Sequence, residues 1–390
     1  MLSAVEGYVH PDFAPVTETL RRVLGGRRSG EGHGGAAVAV YHRGELVVDA
    51  WGGVKDAAGT PWERDTMATS FSTTKGVVAT VVHRLADRGE LAYDDPVARY
   101  WPEFAAAGKD TITVRHLLTH QAGLHEVRTL AGSAQNLLDW DEMVARLAAA
   151  EPRWEPGLRP GYHGFTFGWL VGEVIRRVTG LTVDQAVQRE IAEPLGLDGL
   201  RVGLPEADRA RAAQLLMSPR AVRRLERLAG WLETRDRYRP FVDALVVDDF
   251  LDIVLSERIY DSELPAVNGV FTARALARMY AALATPECFD APPLLSPEII
   301  AQATEIQTRE RDSVIGFDMR WRLGYHMAAS TAGVLPRGFG HFGFGGSGAW
   351  GDPDTGLAVG FVVNAVAGTP FGDLRMARIG GAAVRSARRR

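Results

Sequence analysis

Strand-like patterns lie near both ends of this chain, and a long helical stretch separates them. Apolar runs at 36–41 and 46–51 flank Arg43-Gly44, which predicts a β-hairpin. Near the C-terminus, further strands are predicted at 320–327, 338–344, 349–351 and 357–364. Amphipathic patterns predict a helix at 11–24 and a closing helix at 371–387. This order predicts one antiparallel sheet assembled from both chain ends, with helices on its faces.

The middle of the chain carries the periodicity of helices, at 73–88, 114–119, 140–150, 166–179, 183–191 and 272–284. The expected fold class is therefore α+β. We expect a discontinuous α/β sheet domain at 1–71 with 268–390, and a mainly helical domain at 72–267. Residues 217–262 alternate charged with apolar side chains at roughly helical spacing. This segment predicts either surface helices packed on the core or a lid or wall over a cleft.

Composition excludes several classes of protein. A net charge of −4 gives no electrostatic reason to expect a nucleic acid partner, and the basic run at 385–390 is interpreted as the solvated end of the last helix. The single cysteine, Cys288, excludes an internal disulfide. The first residues lack the features of a signal peptide, and no stretch reaches about 18 apolar residues. We therefore expect a cytoplasmic protein without a membrane span.

Ser72-Thr73-Thr74-Lys75 opens the helix predicted at 73–88, directly after a strand pattern at 66–71. Side chains three residues apart share one helix face, so Ser72 and Lys75 are expected within reach of each other. At a helix N-terminus, free N–H groups and the helix dipole favour negative charge. Only three of the 44 Lys and Arg residues are lysine, and arginine cannot lose its proton at useful pH. Lys75 is therefore a candidate amine base, whereas Lys55 and Lys109 lie in turn-like segments without an assigned role.

A serine hydroxyl becomes a good nucleophile when a neighbouring base takes its proton. Lys75 could serve if burial lowers its pKa by several units from about 10.4. Tyr162 follows the rigid turn Arg159-Pro160-Gly161, which would present its ring outward. Two interpretations of Tyr162 stay open here: a second base, or a packed ring with a satisfied hydroxyl.

The glycine-rich segment 340–350 lies beside a predicted strand. Several glycines in such a place indicate a close backbone approach to a ligand. A backbone N–H from this segment, aimed at the same carbonyl as the Ser72 N–H, would complete an oxyanion hole. A glycine-rich turn between two strands is the alternative.

Together these motifs resemble the serine β-lactamase and penicillin-binding-protein superfamily, whose signature includes S-x-x-K. The nearest branch is that of carboxylesterases similar to class C β-lactamases, of the family VIII type. The resemblance spans roughly 35–365 and also covers segment 116–124, Asn268-Gly269 and His341-Phe342-Gly343. It implies a β-lactamase/transpeptidase-like fold with the active site between the two domains. It further implies that Ser72 is acylated, that Lys75 and Tyr162 share the base role, and that Phe344 supplies the second oxyanion N–H.

Two positions depart from the family pattern. Tyr162-His163-Gly164 replaces Tyr-x-Asn, so the amide that would hold a β-lactam side chain is missing. His341-Phe342-Gly343 replaces Lys-Thr-Gly, which removes a permanent cation because histidine is only partly charged at pH 7. Both changes favour uncharged esters over penicillin-like or D-Ala-terminated substrates. Apolar pocket walls are expected from nearby phenylalanines: Phe165, Phe167, Phe339 and Phe342.

Other candidate sites fail on their context. Segment 345–349 resembles the G-x-S-x-G nucleophile elbow of α/β-hydrolases, which needs a helix after the serine and a histidine later in the chain. Here a strand pattern follows Ser347, and no histidine follows it. His116 and His120 are expected to close a helix end. The G-x-G-x-x-G at 30–35 opens a strand where a dinucleotide site opens a helix, and Cys288 lies in an acidic loop that disfavours a thiolate. No metal-ligand spacing occurs, so we expect no cofactor.

The sequence therefore predicts a serine hydrolase that cleaves small-molecule carboxylic esters through an acyl-enzyme on Ser72. A β-lactamase, a D-aminopeptidase or an acyltransferase with the same residues is the alternative. A catalytically silent scaffold of the same fold is a second alternative. The sequence leaves the oligomeric state open.

Overall fold

The computed structural model describes residues 4–25, 34–366 and 373–390. The strands in this part of the chain are β1 Val5–Val9, β2 Ala36–His42, β3 Glu45–Gly52, β4 Met67–Thr69, β5 Leu200–Val202, β6 Ala212–Ala213, β7 Gly269–Phe271, β8 His326–Ser330, β9 Gly333–Phe342, β10 Gly348–Asp352 and β11 Leu357–Val363.

The α-helices are α1 Ala14–Leu24, α2 Thr73–Asp87, α3 Val114–Leu118, α4 Val127–Ala131, α5 Trp140–Ala149, α6 Thr166–Thr179, α7 Val183–Val187, α8 Glu193–Leu195, α9 Pro219–Glu233, α10 Arg239–Leu245, α11 Phe250–Val254, α12 Ala273–Ala284, α13 Pro297–Thr304 and α14 Arg375–Ala387. A π-helical turn, Gln188–Ala192, joins α7 to α8. Short 3₁₀ turns lie at Pro11–Phe13, Val97–Arg99, Pro102–Gly108, Gln135–Leu138, Glu206–Arg211, Asp236–Tyr238, Glu257–Tyr260 and Pro286–Cys288.

Seven strands form the main sheet, in the order β1-β3-β2-β11-β10-β9-β8. Every neighbouring pair is antiparallel. The predicted hairpin turns at Arg43 and Gly44, whose φ angles of 50° and 79° suit a two-residue hairpin loop. Because β2 pairs with β11, the two chain ends meet in the middle of the sheet. The predicted antiparallel sheet assembled from both ends is therefore confirmed.

Helices cover both faces of this sheet because successive strand side chains point in opposite directions. Val38 and Phe361 on one face pack with Leu20 of α1 and Ile379 of α14. On the other face, Ala39 and its neighbours pack with α12 and α2 in the larger core. Helix α2 is buried along almost its whole length, between the sheet and the helical region. Its N-terminus therefore lies where these two parts of the molecule meet.

Some elements differ from the sequence-based expectations. The exposed edge strand β1 was not predicted, because Gly7 with φ 103° interrupts an already short pattern. Of a second sheet, β5-β7-β4-β6, only β4 was predicted, within the strand pattern at 66–71. The other three strands have two or three residues and carry no readable periodicity. The closing helix begins at Arg375, and the first two residues predicted for it lie outside the described ranges.

The strand predicted at 320–327 is wrong for most of its length. Strand β8 begins only at His326, and Arg320 and Gly324 have φ angles of 46° and 77°, which extended strands do not adopt. The apolar side chains of this run are buried by packing rather than by strand pairing. Trp321 in particular is fully buried in a cluster with Tyr162, Ala244 and Val314.

Segment 217–262 forms α9, α10 and α11. Helix α9 lies at the surface and packs on α10. Ala244 of α10 joins the cluster beneath Tyr162, and a Cβ at Gly164 would lie 2.3 Å from Leu245 Cδ2. The segment thus combines a surface helix with one that borders the Tyr162 loop. No helix within the described residues has the length and apolar character needed to cross a membrane.

Candidate active site

Ser72 lies at the start of α2, directly after a strained residue. Phe71 has φ 45°, a left-handed conformation that non-glycine residues rarely adopt. Strand β7 holds this turn in place: Ser70 N–H donates to Gly269 O at 2.8 Å, and Gly269 N–H donates to Thr74 Oγ1 at 2.9 Å. The close packing requires glycine at 269, where a Cβ would lie 2.4 Å from Thr74 Oγ1.

Lys75 lies one turn further along α2 and is fully buried. Its Nζ is 3.1 Å from Ser72 Oγ, 2.7 Å from Gly164 O and 3.1 Å from Ala266 O. Burial without a carboxylate partner lowers the pKa of Lys75 well below its ordinary value of 10.5. A neutral amine has two N–H donors and one lone pair. The two carbonyl oxygens can take both N–H groups, which leaves the lone pair facing the Ser72 hydroxyl.

Tyr162 reaches the same hydroxyl from the helical side of the site. Its OH donates to Ser72 Oγ at 2.7 Å, and its ring lies 4.9 Å from Lys75 Nζ. Burial raises the pKa of Tyr162 above its ordinary value of 10, and the hydrogen bond to Ser72 only partly opposes this effect. Tyr162 is therefore a neutral phenol at neutral pH, and Lys75 is the better proton acceptor of the two.

A buried carboxylate and two rings hold Tyr162 in position. Asp312 Oδ1 accepts N–H groups from Tyr162 at 3.1 Å, Val314 at 2.9 Å and Ile315 at 3.0 Å. Its Oδ2 accepts Trp321 Nε1–H at 3.0 Å. The Trp321 ring stacks on Tyr162, with centroids 5.5 Å apart and planes 4° apart, and His120 contacts the Tyr162 ring edge to face.

Strand β9 forms the opposite side of the site. A Cβ at Gly343 would lie 2.1 Å from Ser70 O, so only glycine allows the strand end to pack this closely against the start of α2. Phe344, just beyond, packs its ring on Phe71 with centroids 5.3 Å apart. No hydrogen bond among the described residues uses the backbone N–H of Ser72 or of Phe344. Both N–H groups are thus available to a ligand beside Ser72 Oγ.

His341 is buried on the same strand, and its ring lies 6.4 Å from that of Tyr162. Its Nδ1 lies 3.0 Å from Phe342 O, which fixes the proton on Nδ1, while Nε2 has no partner among the described residues. Burial lowers the pKa of His341 well below its ordinary value, and nearby His326 and Lys75 lower it further. The ring is therefore neutral, and this wall carries no cation at neutral pH.

The two departures from the family pattern occupy defined places. Gly164 contributes its carbonyl oxygen to Lys75, and no side-chain amide stands there. His163 accepts Leu124 N–H at Nε2 and contacts Gly161 O through Nδ1, so it braces the Tyr162 loop. Burial lowers its pKa to about 3. His163 therefore adds neither charge nor a free polar group to the site.

Several sequence-based expectations about neighbouring residues need correction. His116 caps the start of α3 rather than its end, whereas His120, just beyond its end, contacts Tyr162. Phe342 points to the face covered by α1 and α14, and Phe339 is buried against Tyr280 and Tyr325, so neither lines the site. Strand alternation explains Phe342, because it is adjacent to His341 and points to the other face of β9. Phe339 shares the face of His341, but packing against Tyr280 and Tyr325 occupies its ring.

The rejected serine and cysteine lie where their context predicted, and most of the glycine motif at 30–35 lies outside the described residues. Strand β10 follows Ser347, whose Oγ accepts Val363 N–H at 3.1 Å. Cys288 is exposed, and desolvation and Glu287 raise its thiol pKa. Lys109, however, is not a simple turn residue. It is buried, and its Nζ donates to three carbonyl oxygens, those of Ala106, Ala148 and Ala150.

Sequence reasoning missed Asp312, Trp321 and the carbonyl oxygen of Ala266. Nothing local marks them, since each acts on a residue more than 100 positions away or through its backbone. Within the described ranges, no cluster of three or more His, Cys, Asp or Glu side chains could hold a metal ion. An amine and a phenol contact Ser72 Oγ, and the nearby backbone N–H groups of Ser72 and Phe344 have no partner among the described residues. Acyl transfer requires such a set of groups.

Comparison with known proteins is consistent with this arrangement. Residues 20–383 match the Beta-lactamase family. The chain is 42% identical over 375 residues to Esterase/beta-lactamase LipL of Mycobacterium tuberculosis, covering 92% of this chain and 83% of LipL. Among solved structures, a penicillin-binding protein homologue from Caulobacter crescentus is 36% identical, with a TM-score of 0.85, 98% of this chain and 100% of that chain covered. A family VIII carboxylesterase is 35% identical, with a TM-score of 0.82 and 99% of both chains covered. These matches confirm the superfamily and fold inferred from the motifs: the chain belongs to the Beta-lactamase family.

Proposed function

We propose that this protein is a serine hydrolase that cleaves carboxylic esters through an acyl-enzyme on Ser72. The observation that carries the proposal is the convergence of two groups on one hydroxyl. Lys75 Nζ lies 3.1 Å and Tyr162 OH 2.7 Å from Ser72 Oγ. Both distances suit proton transfer to or from the serine.

Lys75 takes the proton of Ser72 as the hydroxyl attacks the ester carbonyl. The contrast with Lys109 supports this role. Lys109 Nζ contacts three carbonyl oxygens, which match the three N–H donors of an ammonium group. Lys75 Nζ contacts two carbonyl oxygens and a hydroxyl, which match the two donors and the lone pair of a neutral amine. The lowered pKa of Lys75 favours the same protonation state.

The attack forms a bond from Ser72 Oγ to the carbonyl carbon and places negative charge on the carbonyl oxygen. The N–H groups of Ser72 and Phe344 would stabilise this oxyanion, each contributing about 3–4 kcal/mol. The proton then passes from Lys75 through Tyr162 to the leaving alkoxide, which departs as an alcohol. Water repeats the sequence on the acyl-enzyme, releases the carboxylic acid and restores Ser72.

The walls of the site favour esters over β-lactams. His341 is neutral and offers no cation to a substrate carboxylate, and Gly164 offers no side-chain amide. Two of the compared proteins are named for ester cleavage: LipL is named an esterase as well as a β-lactamase, and the 35% identical structure is a family VIII carboxylesterase. A p-nitrophenyl short-chain ester should therefore be hydrolysed far faster than a chromogenic cephalosporin. Faster hydrolysis of the cephalosporin would identify the protein as a β-lactamase and contradict the esterase assignment.

The decisive experiment is intact mass spectrometry after brief exposure to a p-nitrophenyl ester. The wild type should gain one acyl group, and Ser72→Ala should gain none and lose activity on the order of 10⁵-fold. Ser70→Ala is a matched control, because Ser70 Oγ donates only to Ala68 O and should leave acylation intact. A Ser72→Ala variant with a tenth of wild-type activity would refute the assignment. Absence of any adduct on the wild type would support a silent scaffold.

The role of Lys75 has its own matched pair. Lys75→Arg places a permanent positive charge there and offers no lone pair to the Ser72 hydroxyl, so hydrolysis should fall by at least 10³-fold. Lys55→Arg should retain activity, because Lys55 Nζ contacts only Ala210 O, away from the site. A fully active Lys75→Arg variant would overturn the proposed base.

We also propose that the site lies between a sheet unit, 1–71 with 268–390, and a helical unit, 72–267. Ser72, Lys75 and Tyr162 belong to the second unit, and His341, Gly343 and Phe344 to the first. The expected partner is a small-molecule ester. The cytoplasmic location and the lack of a nucleic acid partner stay predictions.

A further inference from the structure

Helix α9 presents a line of charged and aromatic side chains that takes no part in the chemistry proposed above. Residues 220, 224, 227 and 231 are spaced by four, three and four positions, so they follow one another along a single helix face. They are three arginines and a tryptophan. Arg235 continues the line, with its guanidinium 3.9 Å from the centroid of the Trp231 ring. We call these five residues, Arg220, Arg224, Arg227, Trp231 and Arg235, the arginine–tryptophan stripe.

The stripe is not what holds α9 on the protein. A neighbouring face of the helix does so: Ala221 and Leu232 are buried, and Leu228 packs with Leu232 and Phe241. Within the stripe, Trp231 keeps 43% of its surface exposed, and the arginines of α9 are exposed. The Trp231 ring contacts Tyr238 and Arg235, and the packing of this helix does not explain why so much of a large aromatic side chain faces solvent among cations.

The stripe is also an unbalanced concentration of positive charge. None of its four arginines has a carboxylate partner among the described residues, whereas nearby Arg128 and Arg239 do. The neighbouring Glu233 turns away and pairs with Arg128 at 2.7 Å. The chain as a whole carries a net charge of −4, so the stripe is opposite in sign to the rest of the molecule.

We propose that the arginine–tryptophan stripe docks the protein on an anionic phospholipid surface. Guanidinium groups bind phosphate oxygens in a planar, bidentate manner, and each basic residue near such a surface adds to binding. Trp231 supplies the amphipathic ring that settles at the level of the lipid headgroups. Because the apolar side chains of α9 pack on the protein, the contact with lipid would be made by the arginines and the single ring of Trp231.

The position of α9 connects this surface with the site. Helix α9 packs on α10, and Leu245 of α10 contacts Gly164, whose carbonyl oxygen accepts Lys75. Docking would therefore place the helical wall of the site beside the lipid surface. The consequence for catalysis rests on the proposed esterase function, whereas docking itself does not.

The test is co-sedimentation of the full chain with vesicles at low salt. Vesicles of phosphatidylglycerol and phosphatidylcholine should retain the protein, and vesicles of phosphatidylcholine alone should not. Arg220→Gln/Arg224→Gln/Arg227→Gln should weaken binding on the order of 100-fold. Trp231→Ala should weaken it severalfold, and raising the salt concentration should release the wild type because screening shortens the reach of these charges.

The control removes equal charge elsewhere. Arg385→Gln/Arg388→Gln/Arg389→Gln changes three exposed arginines of the C-terminal run, which has no exposed tryptophan beside it, and should leave binding unchanged. Equal loss in both triple variants would overturn the proposal, as would equal binding to both kinds of vesicle. Binding to double-stranded DNA of the same charge, with none to vesicles, would overturn it in favour of a nucleic acid partner.

Activity provides a separate readout. The α9 triple variant should hydrolyse a soluble p-nitrophenyl ester like the wild type, yet lose rate on a long-chain ester carried in anionic vesicles. If Ser72→Ala still binds the vesicles while hydrolysing nothing, docking and catalysis are independently established. If the α9 variant keeps the wild-type urea midpoint but loses activity on both substrates, the stripe serves the site itself, which would contradict a role confined to docking.

Discussion

Asp312→Asn tests how much of the site depends on one buried carboxylate. Asp312 Oδ1 accepts three backbone N–H groups, including that of Tyr162, and Oδ2 accepts Trp321 Nε1–H. An asparagine can keep its oxygen on the three backbone groups, but its NH₂ must then face the indole N–H. Two donors would point at each other, and one hydrogen bond to a charged group, worth about 1.5–3 kcal/mol, would be lost.

Removal of the buried charge offsets part of this loss, because burial raises the pKa of Asp312 and so disfavours the ionised form. We therefore expect the free energy of unfolding to fall by about 2 kcal/mol, measured by urea denaturation at pH 7. The value of kcat for a soluble ester should fall more than KM rises, since the change misplaces the Tyr162 hydroxyl and not the substrate.

Trp321→Phe removes the indole N–H that would face the new NH₂ group, and it keeps a ring against Tyr162. It is therefore the second variant of a double-mutant cycle with Asp312→Asn. Alone it should cost about 1–2 kcal/mol, because it leaves Oδ2 unpaired. Combined with Asp312→Asn it should cost at least about 1 kcal/mol less than the sum of the two single changes. Additivity within about 0.5 kcal/mol would refute the proposed donor–donor conflict, and an unchanged kcat would refute the positioning of Tyr162 by this carboxylate.

Three further predictions follow from the same geometry. Gly343→Ala brings a methyl group to 2.1 Å from Ser70 O, so β9 must move away from α2 and carry the Phe344 N–H with it. The value of kcat should then fall roughly 10²–10³-fold, with a smaller change in KM. A kcat near that of the wild type would exclude Phe344 from the oxyanion hole. His341→Lys introduces an amine on the wall opposite Tyr162 and should raise kcat/KM for esters whose acyl group ends in a carboxylate relative to uncharged esters of equal length; no relative gain would contradict the assignment of this wall. Acid should destabilise the fold, because burial lowers the pKa of four histidines to about 3 or 4 while the unfolded chain takes up protons below about 6.5. The four are His83, His125, His163 and His326. Their contribution to stability is complete above about pH 6.5 and falls by about 1.4 kcal/mol per histidine for each pH unit below it. Urea midpoints measured at pH 7.5, 6.0 and 5.0 should therefore decline steeply, and equal midpoints would show that these rings are not neutral in the folded protein.

Local chemistry was enough to predict one half of the site. Ser72 and Lys75 lie three residues apart on one helix, so their contact follows from helix geometry alone. The Arg43-Gly44 turn and the alternation around it likewise specify a hairpin without reference to the rest of the chain. In both cases the physical cause acts over fewer than ten residues, and a sequence displays it directly.

The family resemblance implied that Tyr162 joins these two residues, but only the tertiary structure shows how it is placed. Tyr162 meets Ser72 across 90 positions, and its orientation depends on Asp312 and Trp321, which lie another 150 or more positions away. The run around Trp321 was predicted as a strand because burial by packing and burial by pairing leave the same apolar pattern. The sequence by itself determined the antiparallel sheet, the Ser–Lys helix and the family. The fold decided which distant groups surround the serine, because burial and hydrogen bonding between remote segments depend on how the whole chain packs.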